Sequence, residues 1–315
     1  MTSKSIRNVC ACLAAAVLGS SAARAVYTDG IFEIDGNAFT DNTTSGLPDD
    51  WNRINPGPGS HALISTFVTD PFGATIFTGG GSKDVQDISS WQFTSGSVPD
   101  KDELTHAYAA AYTNSKGELL LYFGADRFDN SGDSQIGFWF FKNNITLKPS
   151  TTTSGTFNGV HAIGDILILS DFTTGGTVST IKVYEWVGSG GSDGPINLVA
   201  SGVDATVAQP GDALTAIVNS KSIPSPWDYT AKGSSTPKVF PPGTFFEGVV
   251  NLSKVLPSLE CITSFLAETR SSQSPTATLK DFVTGSFSFA PTVSVGNRTT
   301  CAGTPTTMSA AVVGG

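Results

Sequence analysis

Four oxygen-bearing side chains lie close together in a polar stretch between two apolar segments: Asp126, Asp129, Asn130 and Asp133. Carboxylate and amide oxygens are the ligands that Ca²⁺ prefers in proteins. The spacing does not match an EF-hand loop, and a polar hairpin in which Arg127 pairs with an aspartate explains the same residues. The sequence therefore leaves a calcium site and an ordinary hairpin open, with calcium as the possible cofactor.

A second candidate chemistry is the stacking of aromatic side chains on sugar rings. Trp227 and Tyr229 lie in a proline-rich stretch, and Trp51 follows an acidic pair in a loop. An exposed ring can bury the C–H face of a sugar while polar neighbours bind its hydroxyls. The same residues would serve equally well as anchors that hold loops onto a core, and this alternative stays open.

Three charged residues near the end of the chain point to a structural role. Glu268, Arg270 and Asp281 flank a segment in which Ile262, Phe265 and Leu266 recur at helical spacing. This spacing, with Pro257 and Ser258 as a start signal, predicts a helix that ends near residue 269. We expect Arg270 to form a buried ion pair with an acidic neighbour that locks this helix to the next strand.

The motifs of known catalytic sites are weak or missing, so the sequence predicts no catalytic residues. The three histidines do not have the spacing of a metal site. Residues 190–194 match G-x-S-x-G, but a nucleophile elbow needs a helix after the serine, and Pro195 follows. Glu33 and Asp35 alternate as glycosidase carboxylates do, but the third position is Asn37 and Gly36 interrupts the strand.

Composition excludes some classes of partner. The 315 residues include 27 acidic and 18 basic side chains, a net charge of −9. Such a chain gains little from neutralising phosphates, so nucleic acids and anionic membranes are poor partners. Lys4 and Arg7 precede a short apolar run, and residues 23–25 form an A-x-A site, which together predict a signal peptide over residues 1–25. No later apolar run reaches the length of a membrane span.

The remaining pattern favours an all-β fold. Short apolar segments alternate with glycine-rich and proline-rich turns, which predicts a jelly-roll-like sandwich over residues 26–290 with one short helix. The segment Ile136–Phe141 is apolar at both alternating sets of positions, so it should be a strand buried on both faces. Residues 188–243 are rich in turn signals and predict a long loop excursion.

Several blocks together resemble a known group of proteins: residues 32–37, 48–51, 77–84, 99–102, 122–128, 135–140, 268–274 and 279–282. The chain is similar to the N-terminal domain of large secreted or cell-surface bacterial proteins, an uncharacterised family with a concanavalin-like or laminin-G-like sandwich. Residues 291–315 resemble the truncated start of an immunoglobulin-like or PKD-like repeat. The resemblance implies downstream repeat modules, and in such repeats Cys301 would pair within its own repeat rather than with Cys261.

These observations predict a non-catalytic module of a secreted, surface-displayed bacterial protein that works in adhesion or matrix contact, with a glycan or an extracellular protein as its partner. The first alternative is a calcium-assisted carbohydrate-binding module. The second is a secreted enzyme acting on glycosides.

Overall fold

The structure is a computed structural model. It describes residues 27–28, 30–40, 46–57, 59–70, 73, 75–172, 178, 180–209, 211–257, 261–289, 292–295 and 310–313. The predicted signal peptide and Cys301 lie outside these residues.

Within the described residues almost all regular structure is β. The strands are β1 (Tyr27–Thr28), β2 (Glu33–Ile34), β3 (Ile64–Thr69), β4 (Ile76–Thr78), β5 (Gln92–Thr94), β6 (Leu104–Thr113), β7 (Leu119–Arg127), β8 (Ser134–Phe141), β9 (Thr146–Pro149), β10 (Ser154–Asn158), β11 (Ile166–Phe172), β12 (Ile181–Gly191), β13 (Gly194–Asp204), β14 (Leu214–Val218), β15 (Ile223–Pro224), β16 (Val239–Phe240), β17 (Phe245–Asn251), β18 (Ile262–Arg270), β19 (Leu279–Phe289), β20 (Thr292–Val295) and β21 (Ala310–Val313). The helices are α1 (Trp51–Ile54) and α2 (Leu252–Val255), with short 3₁₀ turns at Lys83–Val85, Ile88–Ser90 and Asp100–Asp102.

Fifteen of these strands form one continuous sheet in the order β3-β6-β7-β17-β14-β13-β12-β11-β8-β18-β19-β4-β5-β10-β9. The pair β13–β14 is parallel, and the other pairs in the described residues are antiparallel. The sheet folds back on itself, because a side-chain carbon added at Gly285 of β19 would lie 2.7 Å from Cγ2 of Val68 on β3. The predicted all-β sandwich is confirmed.

Buried side chains of the described residues form three hydrophobic clusters stacked through the molecule. The inner cluster lies between the two halves of the folded sheet and includes Phe123 and Phe138. An outer cluster covers β6, β7 and β17 beneath the segments 31–54 and 223–240. A second outer cluster lies between β8, β11 and β18 and the strands β4, β5 and β10. Phe138 and Phe140 enter the inner cluster, whereas Trp139 and Phe141 enter an outer one, so the prediction of a strand buried on both faces is confirmed.

The predicted late helix is wrong, because its apolar residues lie on strand β18. Phe265 packs in the inner cluster and its neighbour Leu266 packs in an outer cluster. A strand buried on both faces needs apolar residues at consecutive positions, and over nine residues that pattern also fits a helix.

The predicted excursion over residues 188–243 is also only partly right. Its first half forms the hairpin β12–β13 and strand β14, all within the large sheet. Residues 219–243 remain as the true excursion, with the short pair β15–β16 at its base. In the tail, β20 and β21 pair in antiparallel fashion.

Candidate functional site

A surface groove of about 460 Å³ opens between strands β3 and β6 and the 219–243 excursion. Aromatic, amide, hydroxyl and charged groups all line it: Asn55, Pro56, Phe67, Thr69, His106, Pro226, Trp227, Asp228 and Lys238. Thr69 and His106 are register partners on β3 and β6, and Asn55 and Pro56 come from the loop after α1. Four separate segments of the chain therefore line this groove.

His106 is held in the groove by a buried carboxylate. Its Nδ1 lies 2.8 Å from Oδ1 of Asp126, which is the facing residue on β7. Asp126 also accepts a hydrogen bond from Thr105 and one from Nε1 of Trp227 at 3.1 Å. Because a carboxylate accepts but does not donate, we assign an imidazole proton to Nδ1, which leaves Nε2 as the second ring nitrogen of a residue that lines the groove.

The charges around His106 favour its protonated form. Burial lowers the pKa of His106, but Asp126, Asp70 and Asp228 outweigh burial and raise the pKa above its usual 6.5. The ring also lies between two aromatic side chains, with its centroid 5.2 Å from that of Phe67 and 6.0 Å from that of Trp227. The result is a fixed imidazole that can change its charge at the groove floor.

Lys238 is placed on the groove rim by an unusual backbone conformation. Its φ of 56° is the only positive value at a non-glycine residue in the described part of the chain. Two backbone hydrogen bonds hold it there, from its own N–H to the Tyr229 carbonyl and from the Ser225 N–H to its carbonyl. Its ammonium lies 3.1 Å from the exposed carboxylate of Asp228. Strained backbone conformations that the surrounding structure holds in place cluster at binding and active sites.

The three aromatic residues that the sequence offered as candidates for sugar stacking are buried. Trp51, Trp227 and Tyr229 are between 1% and 4% exposed, so the alternative of loop anchors fits all three. Trp51 donates to Glu247 at 2.8 Å, and Tyr229 donates to the carbonyl of Arg127. Trp227 alone of the three also lines the groove.

The four candidate calcium ligands do not converge. Asp126 faces His106, whereas Asp129 binds Ser131 and Lys232. The amide of Asn130 donates to the Pro242 carbonyl, and the carbonyl of Asp133 accepts from Lys101. No group of three His, Cys, Asp or Glu side chains in the described residues could hold a metal ion. The hairpin alternative fits better, although Arg127 donates to backbone carbonyls rather than to an aspartate side chain.

The predicted structural residues are all buried, but they do not form a single unit. Arg270 lies 3.0 Å from Glu268 and 2.6 Å from Asp84, so the ion pair ties β18 to the turn at residues 83–85. Asp281 instead accepts from the Leu104 N–H at 2.7 Å. We expected this ion pair to join a helix to a strand, but it joins a strand to a turn.

Two further groups of carboxyls are buried outside the lining of the groove. Burial raises the pKa of both Asp50 and Glu247, and Glu247 binds the N–H groups of Asp35 and Gly36. Burial and the neighbouring Glu103 raise the pKa of Asp70 to about 8. Since Asp50 and Glu247 have no exposed surface, they lack the access to substrate that a pair of glycosidase carboxylates needs.

Sequence reasoning missed His106 as part of a site. It lies between alanine-rich and aromatic positions of a strand, and its partner is 20 residues away. All three histidines bond through Nδ1 to an aspartate, with partners Asp49, Asp126 and Asp165. The sequence spacing of four between His161 and Asp165 is visible, but the cross-strand register that joins His106 to Asp126 is not.

Comparison with known proteins gives no relative: no family model, no curated protein and no solved structure matches this chain. In the described residues no helix has the length and apolar character needed to cross a membrane.

Proposed function

We propose that this chain is a non-catalytic binding module of a secreted, surface-displayed protein, and that a glycan binds in the groove at His106. Adhesion or matrix contact is the process that such a module would serve. The observation that carries the proposal is the lining of the groove, where the half-buried ring of Phe67 lies beside an amide, a hydroxyl and charged groups. Sugars need this combination, because they present C–H faces and hydroxyls together.

The structure favours binding without calcium. The predicted ligands at residues 126–133 are engaged with His106, Lys232 and backbone groups instead of with one another. We therefore expect a chelator to leave glycan binding unchanged.

A glycan-array screen of the purified protein, with calcium and again with a chelator, tests the proposal. Each hit is measured again with His106→Gln and with the matched control His61→Gln. His61 bonds to Asp49 through Nδ1 in the same way, but it lies outside the groove. A hit that is lost in the first variant and kept in the second supports the proposal. A blank array contradicts glycan binding. A hit that His106→Gln does not weaken contradicts binding in this groove.

A further inference from the structure

The groove carries two groups that can be cationic, one on its floor and one on its rim. The ring of His106 is held by Asp126, and the backbone of Lys238 is held by two hydrogen bonds, with its ammonium 3.1 Å from the exposed Asp228. Both side chains line the same groove. Two donors on one concave surface are suited to a ligand that bears an anionic oxygen pair.

The nearby carboxylates do not cancel this arrangement. Asp126 lies behind the imidazole and is occupied by three hydrogen bonds, from His106, Thr105 and Trp227. Asp228 faces the groove from the excursion, but its side chain is 98% exposed and is therefore well screened by water. Asp70 follows β3 and also faces His106, and its carboxyl is mostly neutral at pH 7.

We propose that the ligand is a carboxylate-bearing sugar, such as a uronic acid within a glycan, whose carboxylate binds Nε2–H of His106 and Nζ of Lys238. This inference rests on the proposed function and names the class of glycan. The ring of the same sugar lies against Phe67, and Asn55 and Thr69 bind its hydroxyls.

This arrangement should make the binding of an acidic sugar stronger at lower pH. At acidic pH the raised pKa of His106 favours its positive form beside Lys238, and Asp70, whose pKa is about 8, is neutral. As the pH rises, His106 loses its proton and Asp70 gains a negative charge, so the groove becomes more negative. The ligand carboxylate stays ionised throughout. A uronate should therefore bind more tightly at pH 6 than at pH 8.5, whereas a neutral sugar should bind with little change.

The test is calorimetric titration of the protein with an oligogalacturonate and with the matching neutral oligogalactose, at pH 6 and pH 8.5. His106→Gln removes the titrating cation. Lys238→Asn removes the ammonium while keeping a residue that tolerates the left-handed conformation. Lys148→Asn, on the exposed edge strand β9, is the control for a lost charge far from the groove.

We expect each groove variant to weaken oligogalacturonate binding about tenfold, the loss typical of one charged hydrogen bond, and Lys148→Asn to have no effect. Equal affinity for the charged and neutral sugars at both pH values would overturn this inference and leave the proposed function standing. If both groove variants bind oligogalacturonate as tightly as the wild type does, the proposed site is wrong. If the protein binds neither sugar nor any glycan of the array, both proposals fail.

Discussion

At the scale of single residues, the buried guanidinium of Arg127 joins three loops. It donates to the carbonyls of Gly243 at 2.7 Å, Gly132 at 3.0 Å and Lys101 at 3.3 Å. Burial lowers the pKa of Arg127 to about 10, so the group is still charged at neutral pH. The neighbouring residues in the sequence suggest an aspartate as the partner of Arg127. The sequence does not show which buried backbone carbonyls lack a donor in the folded chain, so these partners could not be predicted.

Replacing Arg127 by methionine should therefore destabilise the protein strongly. The three carbonyls would stay buried without this donor, at a cost of about 3 kcal/mol in the free energy of unfolding. Urea denaturation measures this loss. Arg127→Lys should recover part of it, since an ammonium can still reach one or two carbonyls; equal stability of all three proteins would contradict the prediction.

Gly137 is a position where the packing leaves no room for a side chain. It lies on β8, where an added Cβ would come within 2.9 Å of Cγ of Glu268. Glu268 is bonded to Arg270 and cannot turn away without breaking that pair. We expect Gly137→Ala to cost about 2 kcal/mol, as overpacking typically does. Gly46→Ala, with open space around the new methyl group, is the control and should change the melting temperature little.

At the scale of elements, the N-terminal segment is held down by one acidic side chain. Glu247 on β17 accepts from the N–H groups of Asp35 and Gly36 at 2.9 and 2.7 Å and from Trp51 Nε1 at 2.8 Å. A glutamine has one acceptor and would point its NH₂ at a donor. Glu247→Gln should therefore speed hydrogen exchange at residues 35 and 36 and shift the fluorescence of Trp51, while exchange in the core of β8 stays unchanged. Exchange as slow as in the wild type would show that packing alone holds the segment.

Elements were predictable from the sequence where their pattern was unambiguous. Strand β8 lies where its continuous apolar run predicts it. Strand β18 was mistaken for a helix because burial on both faces removes the alternation that marks a strand. The groove was not predictable, since β3, β6 and the excursion meet only through the folding of a fifteen-stranded sheet.

At the scale of the whole molecule, buried carboxyls dominate the dependence of stability on pH. Burial is the main cause of a raised pKa in six of them: Asp50, Asp70, Glu103, Glu247, Glu268 and Asp281. A carboxyl whose pKa is higher in the folded state binds its proton more tightly there. Its stabilising contribution is complete below the pKa of the unfolded chain and is lost as the pH rises through the folded value.

We therefore expect the protein to be more stable at mildly acidic than at alkaline pH. The melting temperature should rise by about 5 °C between pH 8 and pH 5. Asp129 and Glu118, whose pKa values are lowered, act in the opposite direction, but they are outnumbered by the six buried carboxyls. Differential scanning calorimetry across this range checks the sign, and a melting temperature that falls on acidification would contradict it.

Asp70 offers the sharpest test of this argument, because its pKa of about 8 lies within the measured range. Its side chain hydrogen-bonds Asp281 where β3 and β19 approach across the folded sheet. Asp70→Asn keeps the shape and a donor toward Asp281 but cannot titrate. The variant should therefore gain stability relative to the wild type at pH 8, gain less at pH 5, and show a flatter dependence between them. Asp193→Asn, at the tip of the β12–β13 hairpin, should keep the full slope. An unchanged slope in Asp70→Asn would mean that Asp70 is ionised in the folded protein and that the closure of the sheet tolerates its charge.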